Sequence, residues 1–294
     1  ITVSIVNDIT RKVRYNVMKL DMHCHTKEGS PDCKLELLEN IEILKQKGFH
    51  GMLITDHDSY KAYRYYKKLS HKPEDFVVLK GIEYDTIDAG HMLIVMPTGV
   101  KLPILELRGL PVILLTEIVH HYGGIIGPAH PCGEKFLSIR NTLHGRLSHV
   151  IYRRFDFVEG YNACEDADSN MRAMRLASQY HLPCFGGSDS HKAACVGFGY
   201  TILQEHITTE TELINYIRAG KATVIGGRHY EHTTKDKLGK INNVLVYSFW
   251  FYNRICALLR RKARNLELME NQIIESIRTT NQNKTHYILL SRDS

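Results

Sequence analysis

The 294-residue chain is 43% hydrophobic and 24% charged, a balance typical of a soluble globular protein and long enough to bury a large core. Its formal charge of +6 sits entirely in the tail: residues 1–227 hold 26 basic and 26 acidic side chains, residues 228–294 hold 12 and 6. A pI near 8.8 therefore does not make the whole chain a nucleic-acid binder, and seven cysteines without CxxC spacing exclude a disulfide framework in favour of reduced thiols.

In chain order, residues 1–17 form a lead segment with weak alternation (Val3, Ile5, Ile9, Val13) and no evident chemistry. Val17 to Met22 reads as a strand; side chains alternate along it, so His23 and His25 project to one side and Cys24 to the other. The turn-rich loop TKEGSPDCK exposes Glu28 and Asp32. A helix over Leu35 to Lys47 stops at Gly48, a strand over Gly51 to Thr55 ends in Asp56-His57-Asp58, and a helix with a solvated Tyr and Lys face covers Tyr60 to Leu69.

Strands follow at Phe76 to Leu79, running on to Glu83, and at His91 to Met96, with the polar turn Asp85 to Gly90 between them. Helix Val112 to Tyr122 leads into the strand Ile125-Ile126 and the loop GPAHP. A helix is expected near 137–147, a strand at Phe155 to Val158, and a loop EGYNACEDAD that opens into helix Ser169 to Tyr180. His181 to Phe185 enters GGSDSH; strand Tyr200 to Leu203, helix Glu210 to Ala219 and strand Thr223 to Ile225 complete the unit. Strands alternating with helices argue for a mostly parallel α/β sheet closed into a barrel, in which the loops after the strands gather at one face.

Those loops repeat one chemistry. His23 and His25, Asp56 and His57, Glu83, His91, His130, Glu159, and Asp189 with His191 all stand at or near strand ends. About five His and three or four carboxylates, with no Cys in ligand position, suit Zn, Mn or Fe in a multinuclear site bridged by a carboxylate. Such a site activates water near neutral pH and clamps phosphoryl oxygens, so phosphoester hydrolysis follows.

The ordered set DMHCH, TDHD, GIEYD, GHML, AHP and GSDSH resembles the PHP (polymerase and histidinol phosphatase) family over about residues 18–227. The resemblance implies a distorted seven-stranded (β/α)7 barrel, here with a C-terminal helical extension over 228–294, and a phosphoesterase centre of two or three divalent ions. It implies that His23, His25, Glu83 and Asp189 hold one ion, that Glu83 bridges to a second held by His91 and His130, and that His57, His191 and Asp32 hold a third. The loop from His25 to Asp32 is longer than the commonest family pattern, which makes Glu28 a rival of Asp32. Asp189, His191 and His57 would be the catalytic residues, hydrolysing a phosphate monoester of a nucleotide or small metabolite by metal-activated hydroxide. The alternatives are a phosphodiesterase or exonuclease acting on nucleic acid and a non-catalytic metal-stabilised interaction module.

Lys27, Lys135 and Lys192 share these loops and are candidates to hold a substrate phosphate, against the plainer reading of solvated lysines. Glu159 either faces the metals or hydrogen-bonds a ligand from behind; Tyr161 and Asn162 either line the pocket or pack and cap its loop. Cys132 reads as a small buried residue. The apolar run Val244 to Phe251 falls short of the ~20 residues of a membrane span, and a helix is expected over 254–278 with a basic patch at Arg260, Arg261, Lys262 and Arg264. That helix could dock on the barrel or on a second subunit as a homo-oligomer, lie on a membrane, or contact nucleic acid. No N-terminal stretch has the order of a signal peptide, so a cytoplasmic location is expected.

Overall fold

The computed structural model describes residues 17–133, 137–147, 149–230 and 240–270; residues 1–16 of the lead segment and Lys135 lie outside the described residues. Among the described residues nine strands form two sheets. A curled seven-stranded sheet runs in the order β5 (Ile125–Pro128), β4 (His91–Val95), β3 (Val77–Asp85), β2 (Gly51–Ile54), β1 (Met18–Cys24), β8 (Gly199–Leu203), β9 (Thr223–Gly227); β6 (Val158–Asn162) and β7 (Cys184–Gly187) form a second, two-stranded sheet.

The fold is α/β as expected, but the sheet is mixed rather than mostly parallel. β1–β2, β2–β3 and β6–β7 are parallel, whereas β3–β4, β4–β5, β1–β8 and β8–β9 are antiparallel. The cause at β3–β4 is the brevity of the link: Thr86 N donates to Gly90 O over 3.1 Å and Gly90 takes φ +73°, a tight reversal that leaves no room for a crossover helix. A continuous seven-stranded barrel is not formed. The two-stranded sheet instead bridges the open side of the curl through isolated bonds, Asp189 N to His23 O at 2.7 Å and His25 N to Ser190 O at 3.2 Å on one edge, Asp156 N to Ile126 O at 2.9 Å on the other.

Leu20, Met22, Leu53, Leu79, Leu93, Phe157 and Phe185 pack together inside the curl, with the two Phe rings stacked 4.2 Å apart. These strands are buried on both faces, which explains their nearly unbroken apolar sequence. Outside, helix α1 (Leu37–Gln46) covers β2 with Leu37, Ile41 and Leu44, and helix α2 (Lys61–Lys68) buries Ala62 and Tyr66 in the same layer. Helix α3 (Val112–His121) buries Val112, Leu115, Ile118 and Val119 in a second layer. The helix expected near 137–147 is broken into short turns, α4 (Leu143–Leu147) and α5 (His149–Tyr152). Helix α6 (Ala167–Tyr180) is capped by Asp166, which accepts from Ser169 N, and α7 (Glu210–Arg218) by a Thr209–Glu212 capping box.

In the tail, helices α8 (Lys240–Leu259) and α9 (Arg261–Glu270) dock on the loop after β4. Arg260 Nη1 donates to Glu106 O at 3.1 Å, Arg264 donates to Arg108 O, and Arg108 donates to Asn253 Oδ1. Gly109 has φ +96°, and a Cβ there would fall 2.5 Å from that of Ala257, so only glycine permits this approach. Among the described residues no helix is long and apolar enough to cross a membrane.

Candidate metal centre

The period of two along β1 brings its two histidines together, with His23 Nε2 and His25 Nε2 3.2 Å apart, while the Cys24 thiol turns away to Leu53 O. Glu83 Oε2 and Asp189 Oδ1 complete the group: the imidazole separations to these oxygens, from 3.2 to 3.5 Å, match the ~3.4 Å edge of a tetrahedron whose ligands stand ~2.1 Å from a central ion. His23 and His25 are fully buried.

Glu83, near the end of β3, is the hub. Besides those two imidazoles, its Oε2 lies 3.1 Å from His57 Nδ1, and its Oε1 lies 2.9 Å from His91 Nδ1 and 3.0 Å from His130 Nε2. Five histidines therefore converge on one carboxylate that is 1% exposed. Beyond His57 the cluster opens toward solvent: Asp32 Oδ2 stands 3.4 Å from His57 Nε2 and 3.3 Å from His191 Nε2, and the Asp32 and His191 side chains are 39% and 31% exposed. His130 and Asp189 hold positive φ, +30° and +51°, a strained backbone of the kind that collects at functional loops.

Polar neighbours orient these rings. His23 Nδ1 lies 2.8 Å from Glu159 Oε1, an acceptor, so this nitrogen keeps its proton and Nε2 is the one left to offer a lone pair to an ion. His25 is set the same way: Ser30 Oγ donates to Asp56 Oδ1 at 2.9 Å and accepts from His25 Nδ1 at 3.1 Å. Asn162 Nδ2 donates at 3.1 Å to both Glu159 Oε2 and Asp189 Oδ2. His91 Nε2 is buried with no hydrogen-bond partner among the described residues. An orphaned ring nitrogen, inward lone pairs and clustered carboxylates form a donor set that fits divalent cations.

The electrostatics agree. Burial opposes charge on His25, but the Asp189 and Glu83 carboxylates outweigh it and raise the imidazole to about 10. Burial likewise opposes ionisation of Glu83 and Asp189, yet the surrounding histidines hold both well below the usual carboxylate range. Asp32, partly buried between His191 and His57, is also lowered. In the metal-free cluster, protons on the imidazoles supply the positive charge that these carboxylates attract.

All nine residues named as ligands from the sequence, His23, His25, Asp32, His57, Glu83, His91, His130, Asp189 and His191, meet in this one cluster. Glu28 stands apart: both its oxygens accept from Leu37 N, at 3.1 and 3.2 Å, holding the start of α1. Asp56 braces the loop, accepting from Thr26 N, Thr26 Oγ1 and Ser30 Oγ. Lys27 pairs with Glu36 at the surface and Lys192 is exposed. Glu159 lies within β6, not in the loop after it, because that strand runs to Asn162.

Sequence reading missed Asp21, whose carboxylate accepts from Ser188 N at 2.9 Å and from Ser188 Oγ, pinning the Asp189 loop to β1. Its signal was present, since Asp21, His23 and His25 share one strand face. It also missed a buried group behind the cluster, in which Arg108 Nη2 pairs with Asp58 Oδ2 at 2.9 Å and Asp58 Oδ1 accepts from Asp85 N at 3.0 Å. No local pattern marks Arg108, which reaches these acids only through the fold.

A family model described as PHP-associated matches residues 167–222, from α6 through the Asp189 and His191 loop to α7. No curated protein matches the chain. Among solved structures, PsfC from Pseudomonas syringae PB-5123 shares the fold at a TM-score of 0.54 and 14% identity, over 80% of this chain and 99% of that one. Endonuclease Q, in complex with a 27-mer duplex substrate with an abasic lesion, aligns at TM-score 0.52 and 19% identity over 70% of this chain and 58% of its own. The lesion-specific endonuclease PfuEndoQ from Pyrococcus furiosus gives 0.52 and 19% over 71% and 57%, so the chain spans little more than half of either endonuclease. The PHP-associated match over the Asp189 and His191 loop, joined to the ordered motifs that fold into one His and carboxylate cluster, makes this chain similar to PHP-domain proteins over the part that carries the site.

Proposed function

We propose that the chain is a phosphatase that hydrolyses a phosphate monoester at this cluster. The observation that carries the reading is the convergence of five imidazoles on Glu83, because a carboxylate shared in this way suits bridged cations. His23, His25, Glu83 and Asp189 would hold one ion, Glu83 with His91 and His130 a second, and His57, His191 and Asp32 a third. Bound divalent ions supply Lewis acidity toward phosphoryl oxygens and a more acidic water.

The chain's own residues do the rest. Glu159 and Ser30 fix His23 and His25 with their lone pairs inward, and Asn162 fixes Asp189. Asp189, His191 and His57 stand where the buried end of the cluster meets its open rim, and we assign proton transfer to Asp189 and His191. Their neighbouring atoms, Asp189 Oδ1 and His191 Nδ1, are 3.7 Å apart. Cleavage of nucleic acid is the second reading, because two endonuclease Q structures share the fold. The even charge of residues 1–227 favours the monoester, since a nuclease groove needs excess basic charge.

The test is metal analysis of the purified protein together with phosphate release from sugar, amino-alcohol and nucleotide phosphates, run beside a single-stranded and an abasic duplex oligonucleotide. Metal-dependent release from a monoester supports the proposal. Strand cleavage without monoester turnover replaces it with the nuclease reading, and neither activity removes both.

A further inference from the structure

Between α8 and the turn after β3 lies a cavity of about 610 Å³, with Asp85, Asp88 and Arg146 on the side of the α/β domain and Trp250, Asn253 and Arg254 on the tail side. It adjoins the metal centre. Asp85 Oδ1 is 3.9 Å from His91 Nε2, and the ring of Phe249, the residue before Trp250, is centred 6.3 Å from that of His57. The cavity's chemistry is mixed: one indole, the two carboxamides of Asn141 and Asn253, two carboxylates and two guanidinium groups, beside the apolar Ile87, Leu137 and Leu143. Arg254 packs over the Trp250 ring at 4.9 Å, which fixes the indole as part of the wall.

This combination discriminates among substrate classes. A three-carbon phosphate would leave most of the volume empty, and a polyanionic strand would meet Asp85 and Asp88 among the arginines. A nucleoside matches the lining: its base can stack on an indole, its sugar hydroxyls suit carboxylates, and its base edge pairs with a carboxamide or guanidinium. We propose that this cavity holds the nucleoside part of a nucleotide whose phosphate reaches the metal centre, and that the tail helix α8 selects it. The proposal rests on the phosphomonoesterase reading for its chemistry, while nucleoside binding itself needs no turnover.

Trp250 is the one tryptophan of the chain, so its emission reports on the cavity without a label. Adenosine is titrated into the full chain while Trp emission is followed, and kcat/KM is measured for adenosine monophosphate and for glycerol phosphate, in the wild type and in Arg146→Ala and Arg254→Ala. Arg146 is exposed, on the wall opposite the helix, so its replacement leaves tail docking intact. The expected result is a saturable change in emission, weakened about tenfold in either variant, and a kcat/KM ratio of nucleotide to glycerol ester that falls about tenfold. Nucleotide turnover without a saturable emission change, or equal losses on both esters, overturns the cavity assignment and leaves the phosphatase standing. Saturable adenosine binding that both variants weaken, in a protein that hydrolyses no ester, supports the nucleoside cavity and overturns the phosphatase alone.

Discussion

Glu159 Oε1 lies 2.8 Å from His23 Nδ1, and neither side chain reaches solvent. The pair keeps the proton on His23 Nδ1, and so leaves Nε2, beside Glu83 and Asp189, to offer a lone pair to an ion. Loss of such a partner typically costs 10–100-fold in metal affinity or activity. Glu159→Ala is therefore expected to weaken metal binding by about that factor, measured by competition with a chromogenic chelator. Glu159→Gln is expected to lose less, because its amide oxygen can still accept from His23. Equal affinity in wild type and Glu159→Ala would show that the ring orients without help.

Glu83 is expected to be the residue through which metal binding stabilises the fold. An ion in hundredfold excess over its Kd adds about 2.7 kcal/mol, which for a chain of this size raises Tm by roughly 4 °C. Thermal melts with and without chelator should show that gap in the wild type and little of it in Glu83→Ala or Asp189→Ala, both of which should also lose phosphate release. A variant that keeps the full metal-dependent shift would place the ions elsewhere.

The cluster was readable in the sequence and much of its support was not, for a physical reason. Ligands sit at strand ends, where periodicity fixes the side they face, so His23, His25, Glu83 and His91 were legible one strand at a time. The parallel sheet was wrongly expected because alternating helices and strands do not reveal that the link from Asp85 to His91 is too short for a crossover. Arg108 and Asp58 are 50 residues apart in number and meet only when the loop after β4 folds back behind the cluster. Ser30 was read as a turn residue, which it is, but its hydroxyl also relays between Asp56 and His25.

Metal loading should release protons. The Asp189 and Glu83 carboxylates raise His25 from the ordinary 6.5 to about 10 in the metal-free cluster, so the ring is protonated at neutral pH and a cation must displace that proton. Metal affinity is thus expected to rise with pH from 6 toward 10. For the metal-free protein the sign is opposite: a raised imidazole stabilises the fold fully below about pH 6.5 and loses that contribution as pH rises through 10. Calorimetric titration of Mn²⁺ or Zn²⁺ at pH 7.5, in two buffers of different ionisation enthalpy, should report at least one proton released per ion at the His25 site. Buffer-independent heats would count against a protonated His25.

Arg108 is expected to anchor the tail to the α/β domain in a pH-dependent way. Its guanidinium pairs with Asp58 and donates to Asn253 of α8, and burial raises the Asp58 carboxyl while Arg108 pulls it back down. A buried acid raised above its unfolded value binds its proton more tightly in the folded state, so the stability gained from holding that proton is lost as pH rises. Arg108→Met removes the counter-charge, raises Asp58 further and extends that loss to higher pH. Breaking a buried pair from one side typically costs about 3–5 kcal/mol when the remaining group is charged, and less when it can be neutral. Urea unfolding should therefore show a loss of roughly that size at pH 8 and a clearly smaller one at pH 5. Hydrogen exchange should show faster exchange in α8 than in β2, because the severed contact belongs to the tail. A loss that is the same at both pH values would mean that Arg108 acts through packing of its aliphatic stem rather than through its charge.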